Sequence, residues 1–189
     1  PETRKAMKAK ALAKAQTEAR AAMAKNWIAE NGVLTGAADG GTIGSAKNYE
    51  NFELILDWKT EGEAAMGIRS IPQIALGGKN SGALTGNMLH DNAAPKAAAN
   101  GPQEWNTMQV KVVSDRVTVV LNGVTTAENV ILENACNREI PAYAEGQILL
   151  IAGNAPLNVR EMYIRELPAT PRFELSEEEA ADGFEVLFD

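Results

Sequence analysis

The stretch WNTMQVKVVSDRVTVVLNGVTTAENV, Trp105 to Val130, decides the fold. Apolar and polar residues alternate along it, the pattern of a strand with one face buried. Ser114-Asp115 and Asn122-Gly123 separate the runs, and Asn-Gly tolerates the positive φ angles of a two-residue hairpin turn. An antiparallel meander of three strands is therefore predicted over Trp105–Val113, Arg116–Leu121 and Val124–Val130. The same texture extends outward, with short runs at Val33–Leu34, Gly41–Ser45, Phe52–Lys59, Met66–Arg69, Gln147–Ile151 and Leu157–Leu167, separated by Gly, Asn and Pro. In the run Phe52–Lys59, alternation sends Phe52, Leu54, Leu56 and Trp58 to the core and Glu53, Ile55, Asp57 and Lys59 to the other face. Gly77 to Gly101 is rich in Gly, Ala and Asn and reads as a long surface excursion, a place where sandwiches often carry binding groups.

Before Asn26 the character is different. Residues 1–25 are rich in alanine and lysine, with no Gly and no Pro after Pro1, so helix is predicted from Glu2 to Lys25. Its apolar stripe, Met7, Ala11, Ala15, Ala22 and Met23, is mostly small side chains. That stripe suits a solvated arm or close packing on a flat surface, and it lacks the large anchors of a membrane-surface helix.

Composition narrows the function classes. With 45% hydrophobic residues the 189-residue chain holds enough for one globular core, and no staple is needed. Cys136 is the only cysteine and His90 the only histidine, so neither an intrachain disulfide nor a Cys/His zinc set can form. No run approaches the length of a membrane span, and no charged-then-apolar leader opens the chain, whose first residue, Pro1, suggests a piece of a longer precursor. A formal charge of −7 argues against nucleic acid as a partner. The charge is uneven. Residues 1–25 carry seven basic side chains against Glu2 and Glu18, a net of +5, and the remainder carries −12.

The order Trp27, Asn31-Gly32-Val33-Leu34, Tyr49, Asn51-Phe52-Glu53-Leu54, Asp57-Trp58-Lys59, Gly62, Arg69, Glu104-Trp105-Asn106, Asp115-Arg116-Val117-Thr118-Val119, Leu121-Asn122-Gly123, Leu132-Glu133-Asn134 and Tyr163-Ile164-Arg165-Glu166-Leu167 resembles the bacterial 3-keto-disaccharide hydrolase family. The resemblance runs from about Trp27 to Pro168. It implies an all-β, concanavalin-like jelly-roll sandwich of two antiparallel sheets, here with an N-terminal α-helix, in a secreted or periplasmic protein that processes sugars without a cofactor. The chain then divides into a helix at 1–26, the sandwich at 27–168 and a C-terminal extension at 169–189.

On that resemblance the candidate carbohydrate-binding residues are Asp57, Lys59, Arg69, Gln73 and Trp105. Each also has a structural reading. Asp57 and Lys59 fit a solvated strand face, Arg69 fits a bridge to Asp57, and Trp105 fits core packing as well as sugar stacking. The departures are more telling. Where relatives carry Asn-Ser-Gly stands Glu63-Ala64-Ala65, and after Pro72-Gln73 an expected Gln, Trp and Asp are Ala75, Gly77 and Gly78. An aromatic pair and an acid become Ala135, Cys136 and Asn137, and a Glu, a Gln and a His become Leu149, Ile151 and Gly153. Ala75 and Gly77 in one strand and Leu149, Ile151 and Gly153 in another lie at alternate positions, so one sheet face has lost its acids, amides and aromatics together. Acid–base work on a glycoside needs a positioned proton donor and acceptor, and no catalytic residue can be assigned. Leu149 and Ile151 call for a cover, either the basic helix or another domain of the same parent protein.

The C-terminal stretch supports such a parent. Ser176-x-x-Glu179 is a capping box, and Gly183-Phe184-Glu185-Val186-Leu187-Phe188-Asp189 resembles the strand with which family domains begin. It either opens a following domain or folds back into a vacant strand position, and its alternation of Phe184, Val186 and Phe188 with Glu185, Leu187 and Asp189, which would otherwise leave an apolar strand exposed, favours folding back. Gly40-Gly41-x-x-Gly44 lacks the lysine and helix of a phosphate loop and reads as a turn. His90 and Asp91 lie in the polar excursion with no nucleophile to complete a triad, and Cys136 has no activating partner. The favoured expectation is a degenerate, non-catalytic structural or interaction domain. The alternatives are a carbohydrate-binding domain, or an active glycoside hydrolase on glucosides or 3-keto-glucosides that uses Asp57, His90 or Glu104.

Overall fold

The computed structural model describes residues 9–85, 98–134, 136–170 and 176–185. Two antiparallel sheets face each other. The larger contains β1 (Trp27–Glu30), β2 (Val33–Gly36), β4 (Phe52–Thr60), β8 (Asn106–Val113), β9 (Arg116–Leu121), β10 (Val124–Ile131) and β12 (Leu157–Glu166), in the order β1-β2-β12-β4-β8-β9-β10. The smaller contains β3 (Gly41–Gly44), β5 (Ala64–Gly67), β6 (Gln73–Leu76), β7 (Leu84–Thr85) and β11 (Leu149–Ala152), in the order β3-β11-β5-β6-β7. This is the concanavalin-like jelly-roll sandwich expected from the sequence.

The strand alternation fills the space between the sheets. Phe52, Leu54, Leu56 and Trp58 of β4, Met108, Val110 and Val112 of β8, and Val117, Val119 and Leu121 of β9 are all buried. They meet Met66, Ile74, Leu76, Leu84, Leu150 and Ala152 from the smaller sheet. Each large apolar side chain removed from water here contributes about 1.5–3 kcal/mol before entropy is counted. The meander has the predicted register. Val113 pairs with Arg116 across Ser114-Asp115, Leu121 pairs with Val124 across Asn122-Gly123, and φ is +49° and +81° at that second turn.

The sequence reading missed or misplaced several elements. β1 pairs with β2 across Asn31-Gly32, and Gly36 of β2 lies directly beneath the Trp27 ring, where a Cβ would come within 2.7 Å of it. β6 had only the resemblance to point to it. The excursion from Gly77 to Gly101 is pinned at both ends, by β7 with Leu84 fully buried and by buried Ala98. His90 and Asp91 lie outside the described residues. The predicted strand Met66–Arg69 ends two residues early, since Arg69 and Ser70 both take left-handed backbone, with φ of +48° and +76°.

That turn buries the Arg69 side chain, only 2% exposed. Nε donates to the Glu50 carbonyl at 2.8 Å, Nη1 to the carbonyls of Ser114 at 2.6 Å and Tyr143 at 3.4 Å, and Nη2 to Asn51 Oδ1 at 3.2 Å. Burial pushes the guanidinium below its ordinary value. Arg69 bridges to these groups rather than to Asp57.

α1 (Ala9–Asn26) runs into β1 and contacts chiefly β1 and β3. Its side chains from Lys10 to Lys25 are mostly exposed, Met23 at 49%, with Leu12 and Ala15 half-buried. Of the two sequence readings, the solvated arm describes it. Residues 2–8 and the side chain of Ala22 lie outside what is described. The capping box forms at α2 (Glu177–Ala181), where Glu179 accepts from the Ser176 backbone at 2.8 Å and its own N–H donates to Ser176 Oγ at 3.3 Å.

Replacing Arg69 by Met should cost about 3 kcal/mol in denaturant unfolding, because buried carbonyls lose a charged donor. Arg69→Lys should recover little of it, since one ammonium cannot reach four acceptors on three chain segments, whereas Lys59→Ala should leave the midpoint unchanged.

Candidate functional site

The outward face of the smaller sheet carries an open cleft of about 610 Å³. The antiparallel register builds its floor one rung at a time. Ile151, Ala65 and Ala75 form one outward rung, and on the next Gln73 and Thr85 line the cleft while Leu149 and Gly67 continue the sheet beside it. Leu149 lies against the open positions of Gly67 and Gly44, where a Cβ would approach it to 3.0 Å. Of the altered positions inferred from the sequence, Ala65, Ala75, Leu149 and Ile151 share this one face, whereas Cys136 and Asn137 lie in a loop and Ala135 lies outside the described residues.

The polar groups come from the rim. Glu63 precedes β5, with its backbone N–H fixed by Asn154 Oδ1 at 2.8 Å. Lys79 and Asn80 come from the turn between β6 and β7. Gln73 and Thr85 are neighbours on β6 and β7, tied by Thr85 Oγ1 donating to the Gln73 carbonyl at 3.3 Å. One carboxylate, one ammonium, two amides and a hydroxyl thus surround an apolar floor of small residues. Among the described lining residues Glu63 is the sole carboxylate and there is no aromatic ring.

Two of the glycines at this site are there for steric reasons. A Cβ on Gly153 would fall 1.9 Å from the Glu63 carbonyl oxygen, and one on Gly77, where φ is +76°, would fall 2.1 Å from that of Gly62. In this backbone neither position can carry the larger side chain that the family resemblance leads one to expect.

The sequence-predicted residues do not gather here. Only Gln73 lines the cleft. Arg69 is sealed in the clasp described above. Asp57 and Lys59 project from the outward face of the larger sheet, on the opposite side of the sandwich, with Trp105 just before β8. There Asp57 accepts from Arg160 Nε at 3.1 Å and from Thr107 Oγ1 at 2.7 Å. The Trp105 ring is flanked by the Arg160 guanidinium, 4.0 Å from its centroid, and by Lys59 Nζ at 4.9 Å. These groups satisfy one another. Glu104 is occupied in closing a turn, accepting from the Gly101 N–H at 3.1 Å. Cys136 is exposed in a loop whose backbone is held by Asn134 Oδ1.

Lys79, Asn80 and Thr85 were missed because they lie in the glycine-rich excursion, where no periodicity assigns a face. The usable signal was Leu84-Thr85, an apolar-polar pair between glycines and beside a strand. Helix α1 contributes nothing to the described lining, so Leu149 and Ile151 stay half-buried and uncovered by it.

The family model described as the 3-keto-alpha-glucoside-1,2-lyase-like domain matches residues 10–165. Three solved structures from Parabacteroides distasonis, each named "putative glycosyl hydrolase", resemble the chain. One is 24% identical, covering 76% of this chain and 91% of that one, with a TM-score of 0.60. The second is 18% identical, covering 76% and 84%, at 0.61. The third is 19% identical, covering 75% and 74%, also at 0.61. At these identities the likeness establishes the shared fold alone. No curated protein matches the chain significantly.

The close backbone approaches make a contrast testable by thermal unfolding. Gly153→Ala and Gly77→Ala should each destabilise by about 1–3 kcal/mol or more. Ala75→Gln, on the open floor, should stay within about 0.5 kcal/mol of the parent.

Proposed function

Because the chain belongs to the 3-keto-alpha-glucoside-1,2-lyase-like domain family, we propose that it is a carbohydrate-recognising sandwich domain that does not itself cleave a glycosidic bond and serves a larger sugar-processing protein. The observation that carries this reading is the cleft on the smaller sheet. Its polar rim of Glu63, Gln73, Lys79, Asn80 and Thr85 offers donors and acceptors suited to vicinal hydroxyls, over a floor of Ala65, Ala75 and Ile151 that a sugar ring can approach. Glu63, the single carboxylate among the described lining residues, does not by itself supply the paired donor and acceptor that glycoside cleavage commonly uses. An open cleft whose described lining residues include no aromatic platform supports weak binding, with Kd on the order of 1 mM. A location outside the cytoplasm, where such polymers and glycosides are met, goes with this proposal.

Calorimetric titration with glucosides and 3-keto-glucosides, run beside product detection, tests it. Heat of binding that Gln73→Ala and Lys79→Ala weaken about tenfold each, with no product released, is the expected result. Product formation abolished by Glu63→Gln would overturn the non-catalytic part. Absence of any sugar binding by the folded protein would overturn recognition and leave a scaffold.

A further inference from the structure

The inward face of β4 ends on an unmet polar group. Trp58 is 1% exposed, and its Nε1–H is buried with no hydrogen-bond partner among the described residues. A buried donor left unpaired carries its full desolvation penalty. Trp27, the other buried indole, avoids that penalty by donating to the Gly40 carbonyl at 3.2 Å. Trp58 instead lines a cavity of about 250 Å³, placed where β4 ends, β8 begins and β6 turns into β7. Thr60, Ser81 and Asn106 line it as well, all three buried, and the exposed Glu61 and Lys79 stand at its mouth.

The wall of this cavity is braced from within the fold. Asn106, opposite Trp58 in the β4–β8 register, accepts from the Asn100 N–H and from Asn122 Nδ2, each at 2.8 Å. Asn122 Nδ2 also donates to the Ala98 carbonyl, and Asn100 Nδ2 to that of Trp105, again at 2.8 Å. Asn106 is thus spent on holding the chain at 98–100. Its neighbours are not. Thr60 Oγ1 accepts from the Gly62 N–H at 3.2 Å, and its own hydrogen meets no described acceptor. Ser81 Oγ donates to the Gly78 carbonyl at 3.0 Å and keeps its lone pairs. The buried floor therefore offers two donors, Trp58 and Thr60, and one acceptor, Ser81.

We propose that this end cavity is a binding site, separate from the cleft, for a neutral polyhydroxylated molecule no larger than a single sugar ring. A hydroxyl is donor and acceptor at once, so its oxygen can take the Trp58 or Thr60 hydrogen while its own hydrogen goes to Ser81 Oγ. Charge narrows the class further. Glu61 at the mouth disfavours an anion, Lys79 disfavours a cation, and the described floor carries no charge to compensate either. The volume falls below the range of about 300–1,000 Å³ usual for drug-sized ligands, which limits the occupant to a small molecule. Gly77, Gly78 and Lys79 line both this cavity and the cleft, so the β6–β7 turn is the partition between them. All the groups invoked are described, unlike the terminal strand expected at 183–189, of which residues 186–189 lie outside the described part.

Proton–nitrogen correlation spectra of the indole groups in the full chain, titrated with glucose and with sorbitol, test this, because Trp58 lines the cavity and not the cleft. The Trp58 indole proton should move downfield along a saturable curve, with Kd on the order of 1 mM. The Trp27 indole, already bonded to Gly40, should stay in place. Ala99→Phe, at an exposed lining position, should abolish the shift, and Thr60→Val should weaken binding about threefold or more. The site is overturned by the absence of a saturable Trp58 shift with either compound, or by a shift that persists in Ala99→Phe. A shift given by inorganic phosphate or glycine, and not by glucose or sorbitol, would overturn the ligand class. Gln73 lines only the cleft, so sugar binding there can fail while the Trp58 shift remains, and the two readings fail separately.

Discussion

One buried guanidinium holds the end of this sandwich together. Arg69 reaches the carbonyls of Glu50, Ser114 and Tyr143 and the side chain of Asn51, which belong to the entry of β4, the β8–β9 turn and the loop before β11. Few other groups could do this. A planar donor set can serve several carbonyls at once, and burial makes each of those bonds stronger while raising the penalty for leaving one unmade. Its own left-handed backbone ends β5 and turns the chain toward β6, so the clasp also fixes where the cleft floor begins. Asn51, held by the clasp, in turn anchors the chain leaving β12.

The two outward faces have opposite characters for electrostatic reasons. On the larger sheet, charges are paired across neighbouring strands: Asp57 with Arg160, and Glu53 with Lys111 and Arg165. The hydrogen bond from Arg165, followed by that from Lys111, holds Glu53 below the usual carboxylate range. Such a face has little left to offer a ligand. On the smaller sheet, small side chains and glycines open the floor, and the polar groups stand around it rather than against one another. The backbone approaches at Gly77 and Gly153 make that openness a property of the fold, since bulk cannot be restored there without moving Gly62 or Glu63.

The sequence was most legible where a local rule has a single structural answer. Alternation in Phe52–Lys59 and in Trp105–Val130 assigned the core side chains, Asn122-Gly123 assigned a hairpin, and Ser176-x-x-Glu179 assigned a helix start. Of the strands of two to four residues, β2, β3, β5 and β11 were marked by short runs between breakers, β6 was reached through the resemblance alone, and β1 and β7 escaped, since nothing local set Trp27–Glu30 apart from the helix before it or Leu84-Thr85 from the excursion around it. The site was less legible than the fold. Alternation separated Asp57 and Lys59 from the core but could not say which sheet's outer surface they occupied, and family position suggested a ligand role for Arg69 where burial gives it a structural one. Sequence distance also hid that Gln73 and Lys79 flank the same space as Ile151.

The same reasoning links the cleft to the apolar groove on the inward side of β3, lined by Leu34, Ile43, Tyr49, Ile148, Met162 and Ile164. An antiparallel sheet transmits register from strand to strand, so the place of β11 depends on β3 on one side and β5 on the other. β3 is an edge strand, and its Ile43 pairs with Leu150 on an inward rung, between outward rungs that carry Thr42, Leu149 and Ile151. The cleft floor is therefore held from behind by the apolar side chains that border this groove, so its rigidity is set by packing on one face of the sheet while its specificity is set by the polar rim on the other.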